Sequence, residues 1–153
     1  ATVAVAFCVQ EEVGRRGAGV AARQLKPDVA LVTDVSFALT PDADPRHCGV
    51  MGKGAMIGLS PLLDRRVSDG LTEIAGSLEI PHQFEVMGSS SGTDADRISN
   101  ENAGIPTGLL SIPLRYMHTT VETLDTAVIR DSGRLMAMMI ADMAEDWEEF
   151  AWC

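Results

Sequence analysis

The sequence predicts an α/β sandwich with a mixed or mostly parallel sheet. Two observations carry that expectation. Short apolar runs alternate with helix-patterned segments along the chain. In addition, 153 residues at 46% hydrophobic content suffice for one domain with a real core, and leave no room for a second of ordinary size.

The elements follow in order. Val3-Ala4-Val5-Ala6-Phe7-Cys8-Val9 is an apolar, partly β-branched run that suits a strand buried on both faces. A polar, Gly-punctuated loop spans 10–17, and Ala21 and Ala22 support a short helix over 18–25, stopped by Lys26-Pro27. Residues 29–35 read as a second buried strand that ends at Asp34, which would complete a right-handed βαβ unit. The Pro-, Asp- and Gly-rich stretch 40–54 is a surface loop, and 55–59 a short strand. Leu63, Val67, Leu71, Ile74, Ala75 and Leu78 recur at spacings of three and four, which predicts an amphipathic helix over 62–78. Strands are expected at 83–87 and 107–112, a Ser/Gly loop at 88–92 and a helix at about 93–102. A last helix over 126–150 carries the stripe Leu135, Met138, Met139, Asp142 and Met143, read as core or interface packing.

Charge and cysteine usage exclude several classes. A net charge of −10 disfavours nucleic acid and anionic membrane surfaces, both of which call for a basic footprint. Cys8, Cys48 and Cys153 are odd in number and widely spaced, so neither a disulfide framework nor a cysteine zinc site is indicated, and a reducing, cytoplasmic setting follows. No apolar run reaches the length of about 20 residues that a membrane helix needs, and the N-terminus lacks a signal peptide's basic start.

In open α/β sheets ligands gather outside the carboxyl ends of strands, where Glu11, Glu12, Asp34 and His118 fall. Glu11 and Glu12 are adjacent, and in an irregular turn both can approach one pocket, one ligating a metal while the other accepts a proton. Asp34 would add a carboxylate oxygen and His118 an imidazole nitrogen, a cysteine-free set that suits catalytic zinc, cobalt or manganese. Each also has a plain reading: a solvated Glu pair, a capping or turn Asp34, a packed or surface His118. Asp94 and Asp96 read as caps of the following helix, His47 and His82 as non-ligands, and Arg115 as a loop anchor or ion-pair partner rather than a substrate contact.

Val9-Gln10-Glu11-Glu12-Val13-Gly14-Arg15-Arg16-Gly17-Ala18 resembles the Q-E-E-V-G-x-R-G-A signature of the glutamyl-aminopeptidase and tetrahedral aminopeptidase family of dinuclear-metal peptidases, some members of which carry the label endoglucanase or cellulase. Further matches follow in order: Pro27-Asp28-Val29-Ala30, Thr33-Asp34-Val35, Met51-Gly52-Lys53-Gly54, Ile80-Pro81-His82-Gln83, Gly92-Thr93-Asp94-Ala95, Gly104-Ile105-Pro106-Thr107, and Ser111-Ile112-Pro113-Leu114-Arg115-Tyr116-Met117-His118-Thr119. Thr119 stands where the family usually has Ser, and Ser90-Ser91 precede Gly92 where a glycine is common.

The resemblance implies a three-layer, zinc-exopeptidase-like sandwich and a homo-oligomer. It implies two divalent metal ions, zinc or cobalt with manganese as a further option, and a peptide substrate. It also implies Glu11 as general base, Glu12 and His118 as terminal ligands of one or other metal, and Asp34 as a ligand of the other. Family members carry upstream a ligand His, a bridging Asp and an inserted β-rich dimerisation domain, none of which can be placed here. The chain, 1–153, therefore reads as the C-terminal part of a catalytic domain truncated at its N-terminus, with weak metal binding expected. Such a chain should expose residues 3–9 and the methionines Met136, Met139 and Met143, and should associate. The alternatives are a glycoside hydrolase, which needs two carboxylates flanking a sugar and finds few aromatics besides Trp147 and Trp152, or an inactive fragment that keeps only the fold.

Overall fold

The computed structural model describes residues 1–145; Trp147, Phe150, Trp152 and Cys153 lie outside that range, as does the end of the helix expected over 126–150. Among the described residues the helices are α1 (Arg16–Leu25), α2 (Arg65–Ser77), α3 (Asp94–Ile98) and α4 (Thr126–Glu145). The strands are β1 (Ala30–Phe37), β2 (Ala55–Leu59), β3 (His82–Val86), β4 (Thr107–Arg115) and β5 (Thr123–Leu124), with a 3₁₀ turn at Pro45–His47. None of these helices is long and apolar enough to cross a membrane.

The sheet runs β1-β4-β2-β3, with β5 added to β4. It is mixed: β1 and β4 are parallel, as are β2 and β3, whereas β4 meets β2 and β5 antiparallel. β4 is the central strand and reads as a continuous apolar run because both of its faces are covered. Leu109 and Leu110 alternate across it, the first packing with Val32, Leu63 and Ala95 and the second with Ile57, Val67, Leu71, Leu135 and Met139. These clusters are the two interfaces of a three-layer sandwich, with α2 and α4 on one face and α3, backed by α1, on the other. The β4–β2 ladder covers only Met56↔Ser111 and Ile57↔Leu110; two residues on, Pro113 has no N–H to donate to a ladder.

Local chemistry sets the element ends. Asp64 caps α2, its carboxylate accepting from the N–H groups of Arg66 and Val67 at 2.9 and 3.4 Å, worth about 1 kcal/mol. Lys26 closes α1 in the left-handed region before Pro27. Gly54 has φ +91°, and a side chain there would run into the Pro81 carbonyl. The neighbouring loop is clamped by Gln83, whose side chain bonds the N–H and carbonyl of Val50 and the carbonyl of Gly54 at 2.8 to 3.0 Å.

Four expectations are corrected. Residues 3–9 form no strand, and Val3, Val5, Phe7 and Val9 are exposed, Phe7 at 95%. A strand exists through its ladder, and none of the described strands pairs with this segment, so apolar pattern alone does not organise it. The βαβ unit built on it is accordingly absent, and β1 finds its parallel partner in β4. β1 also runs past Asp34 to Phe37, because β4 continues alongside it to Leu114. The methionines Met136, Met139 and Met143 are core rather than liability, Met139 fully buried, Met143 nearly so and Met136 packed against the same cluster, whereas Met138, read into the same stripe, is exposed.

That burial gives a contrast within one helix. Met139→Ala should cost about 2–5 kcal/mol by urea unfolding, whereas Met138→Ala, on the 41% exposed Met138, should stay within about 0.5 kcal/mol. A Met139→Ala loss as small as that of Met138→Ala would place Met139 outside the core.

Candidate active site

The turn between residues 9 and 17 is a compact reversal. Gly17 N–H donates to the Val9 carbonyl at 3.0 Å, while Gly14 and Arg15 N–H both donate to the Glu11 carbonyl at 3.1 and 2.9 Å. Gln10, Gly14 and Arg15 take positive φ. This irregular path gives the adjacent Glu11 and Glu12 different surroundings, where a regular strand would send them to opposite faces. Glu11 turns inward, where Arg15 Nε donates to its Oε1 at 3.2 Å. Glu12 turns outward, with its Oε1 2.9 Å from His118 Nε2, across 106 residues of sequence.

His118 reaches that point from the carboxyl end of β4. Tyr116 and His118 take φ of 63° and 60°, bending the chain over the sheet. His118 N–H donates to Glu122 Oε1 at 2.6 Å, and the Thr119 hydroxyl closes the turn on the Tyr116 carbonyl at 2.6 Å. Arg115 Nε donates to the Leu39 carbonyl at 3.0 Å, so it anchors a loop.

Asp34 lies inside β1, and its Oδ1 accepts from Val35 N–H at 2.8 Å. Burial pushes its carboxyl above the usual range; the Val35 N–H holds it back, and the charge of Glu12 raises it further. Burial likewise raises Glu11, opposed by Arg15 and reinforced by Asp34. These mutual perturbations place Glu11, Glu12 and Asp34 in one electrostatic neighbourhood.

Asp94 and Asp96 do more than their sequence reading suggested. The cap of α3 is Thr93, whose hydroxyl accepts from Ala95 N–H at 3.2 Å. Asp94 has its carboxyl raised by burial and then by the charge of Asp34, and its Oδ1 is buried without a hydrogen-bond partner among the described residues. Asp96 accepts from the hydroxyls of Ser90 and Ser91 and from the N–H groups of Ser91 and Gly92, at 2.6 to 3.2 Å. Although burial pushes its carboxyl up, those donors outweigh it and hold it below its ordinary value. Arg15 Nη1 reaches Asp96 Oδ2 at 3.4 Å, so one guanidinium ties the Glu11 turn to the serine loop. The spacing of Arg15 four residues after Glu11, and the run Ser89-Ser90-Ser91-Gly92 ahead of Asp96, were the available signals. His47 lies in the 3₁₀ turn, and His82 bonds the Ile80 carbonyl at 3.1 Å; neither approaches this group.

Glu12 and His118 are 71% and 67% exposed, and a pair so solvated contributes only about 0–1 kcal/mol to stability. What the contact does is aim an imidazole nitrogen and a carboxylate oxygen at one point. Imidazole and carboxylates without thiolate are donors suited to zinc, cobalt or manganese, so the set fits such an ion as part of a shell. Among the described residues no three His, Cys, Asp or Glu side chains close around one position, so the shell these residues offer is partial.

Comparison with known proteins gives the family and the fold. Residues 1–135 match the family described as M42 glutamyl aminopeptidase. A lysyl aminopeptidase of Pyrococcus furiosus is 33% identical over 143 residues, covering 94% of this chain and 41% of its own length. The chain thus spans about two fifths of that curated relative. The crystal structure of a TET aminopeptidase from a marine sediment archaeon of the Thaumarchaeota superimposes with a TM-score of 0.78 at 35% identity, over 84% of this chain and 37% of that one. The TET1 peptidase of Pyrococcus horikoshii, described as assembling into a tetrahedron or a large octahedral shell, gives a TM-score of 0.63 at 31% identity, over 85% and 38%.

The turn that separates Glu11 from Glu12 depends on a bare backbone at Gly17. A Cβ there would strike the Val9 carbonyl oxygen and lie 2.6 Å from the Val9 nitrogen, atoms that cannot rotate away. Alanine in a helix usually gains up to about 1 kcal/mol over glycine; here Gly17→Ala should instead lose roughly 1–3 kcal/mol by thermal or urea unfolding. A stabilised Gly17→Ala protein would show that the turn is not packed as described.

Proposed function

The chain belongs to the M42 glutamyl aminopeptidase family, and from that premise we propose that the protein is a metal-dependent aminopeptidase, removing N-terminal residues from peptides with Glu11 as general base. Peptidases of this family are metal-dependent. One observation carries the proposal. Glu12 and His118, from opposite ends of the described chain, meet at 2.9 Å beside Glu11 and Asp34.

The division of labour follows from the surroundings of each side chain. Glu12 and His118 would act as terminal donors and Asp34 would serve a second ion, with further donors completing the shells. When bound, divalent ions supply Lewis acidity toward the scissile carbonyl and lower the pKa of a water. Glu11 stands next to the Glu12 donor and is committed to Arg15 rather than to His118. It would accept the water's proton and return it to the leaving amine. Arg15 holds Glu11 in place through the contact at 3.2 Å and is itself held by Asp96. A cytoplasmic location and assembly into a homo-oligomer belong to the same reading, the second by analogy with the Pyrococcus horikoshii TET1 peptidase.

In a full-length version of the protein, hydrolysis of a peptide arylamide should be abolished by a chelator and restored by cobalt or zinc, with no cleavage of cellulose-type substrates. In that full-length protein, Glu11→Gln should keep its metal content by elemental analysis and lose turnover by about 10²–10⁴-fold, because the amide keeps the shape but accepts no proton. Arylamide turnover near wild type in that variant would remove Glu11 as the base, and metal-independent cleavage of cellulose would replace the reading altogether.

A further inference from the structure

Ser111 lies in the middle of β4 with 0% exposure, and its hydroxyl has no hydrogen-bond partner among the described residues. Buried hydroxyls are almost always paired, so an unpaired one asks for an explanation. In the β1–β4 ladder Ser111 is the register partner of Asp34, and parallel partners project from the same face of the sheet. Asp34 Oδ1 is taken by Val35 N–H at 2.8 Å, which leaves Oδ2 without a hydrogen bond among the described residues. The strands lie about 4.8 Å apart, which sets a serine Oγ and an aspartate Oδ within one rotamer change of each other.

Glu85, on the same face, also keeps a buried oxygen, Oε2, without a partner among the described residues, but it stands on β3, two strands from Ser111, whereas Asp34 is the direct register partner. Ser36, two residues along β1, gives its hydroxyl to Glu85 Oε1. On the far side of Ser111 the register partner is Met56, whose thioether is a weak acceptor.

We infer that Ser111 is a positioning residue, its hydroxyl donating to Asp34 Oδ2 and fixing the direction in which that carboxylate meets an ion. The inference rests on the reading of Asp34 as a metal donor. Carboxylates that ligate metals are held by partners of this kind, and losing one typically weakens metal binding by about 10–100-fold.

The test is a cobalt(II) titration of the full-length protein that contains this chain, followed by visible absorption and by calorimetry, on the unsubstituted protein, Ser111→Ala, Ser36→Ala and Asp34→Asn. Ser111→Ala should weaken cobalt binding by roughly 10-fold or more and alter the absorption band, while the metal-free melting temperature stays level or rises. Ser36→Ala should bind cobalt as the unsubstituted protein does, and Asp34→Asn should lose the same ion. Unchanged affinity in Ser111→Ala, with Asp34→Asn impaired, overturns the inference and leaves the proposed function standing. Equal weakening by Ser36→Ala, or a metal-free Ser111→Ala protein that melts several degrees lower, also overturns it by assigning the hydroxyl a general structural part. Failure of the unsubstituted full-length protein to bind cobalt, or of Asp34→Asn to change its binding, overturns both.

Discussion

β4 has to satisfy three neighbours at once. Its backbone pairs with β1 in parallel along eight register positions, from Ala30↔Thr107 to Phe37↔Leu114, and with β2 and β5 in antiparallel sense. Its side chains enter two cores, Leu110 toward α2 and α4 and Leu109 toward α3. A strand committed on both edges and both faces cannot slip, since a shift of one residue would exchange the two faces. That fixed register sets Ser111 beside Asp34 and delivers His118, three residues past the strand's end, to Glu12.

Electrostatics around that frame are lopsided. Glu11, Glu12, Asp34 and Asp94 gather with Arg15 as the cation that perturbs Glu11, Asp34 and Asp94 alike. Burial and mutual repulsion raise the carboxyls of Glu11, Asp34 and Asp94, each of which would be relieved by a positive charge held among them. A purely structural network would be expected to pair its charges instead, as Arg23, Arg97 and Glu101 do where α1 meets α3. Glu101 thus has two arginines to itself, whereas Glu11, Asp34 and Asp94 share Arg15.

Much of this was legible in the sequence, because local patterns with strong physics behind them survive folding. The three-and-four spacing of Val67, Leu71, Ile74 and Ala75 became the buried face of α2. The runs at 55–59 and 107–112 became strands whose residues the cores require. The motif residues Glu12 and His118, unremarkable by spacing, were singled out as chemistry and are brought into contact by the fold. Residues 3–9 misled for a physical reason: their pattern satisfies a strand, but pairing depends on a neighbour that periodicity cannot report. Asp94, Asp96 and Ser111 escaped for another reason. Their parts depend on partners distant in sequence, such as Arg15 and Asp34, and a short Asp-rich turn looks the same whether it caps a helix or faces a site.

The account turns on Glu12 and His118 converging to hold a divalent ion. With only three histidines in the chain, ring-nitrogen NMR on the protein, recorded with and without zinc, addresses this residue by residue. The account predicts that zinc moves the Nε2 resonance of His118 strongly, leaves His47 and His82 where they were, and loses its effect in Glu12→Gln. Zinc shifts at His47 or His82 with His118 unmoved, or a His118 shift indifferent to Glu12, would contradict it.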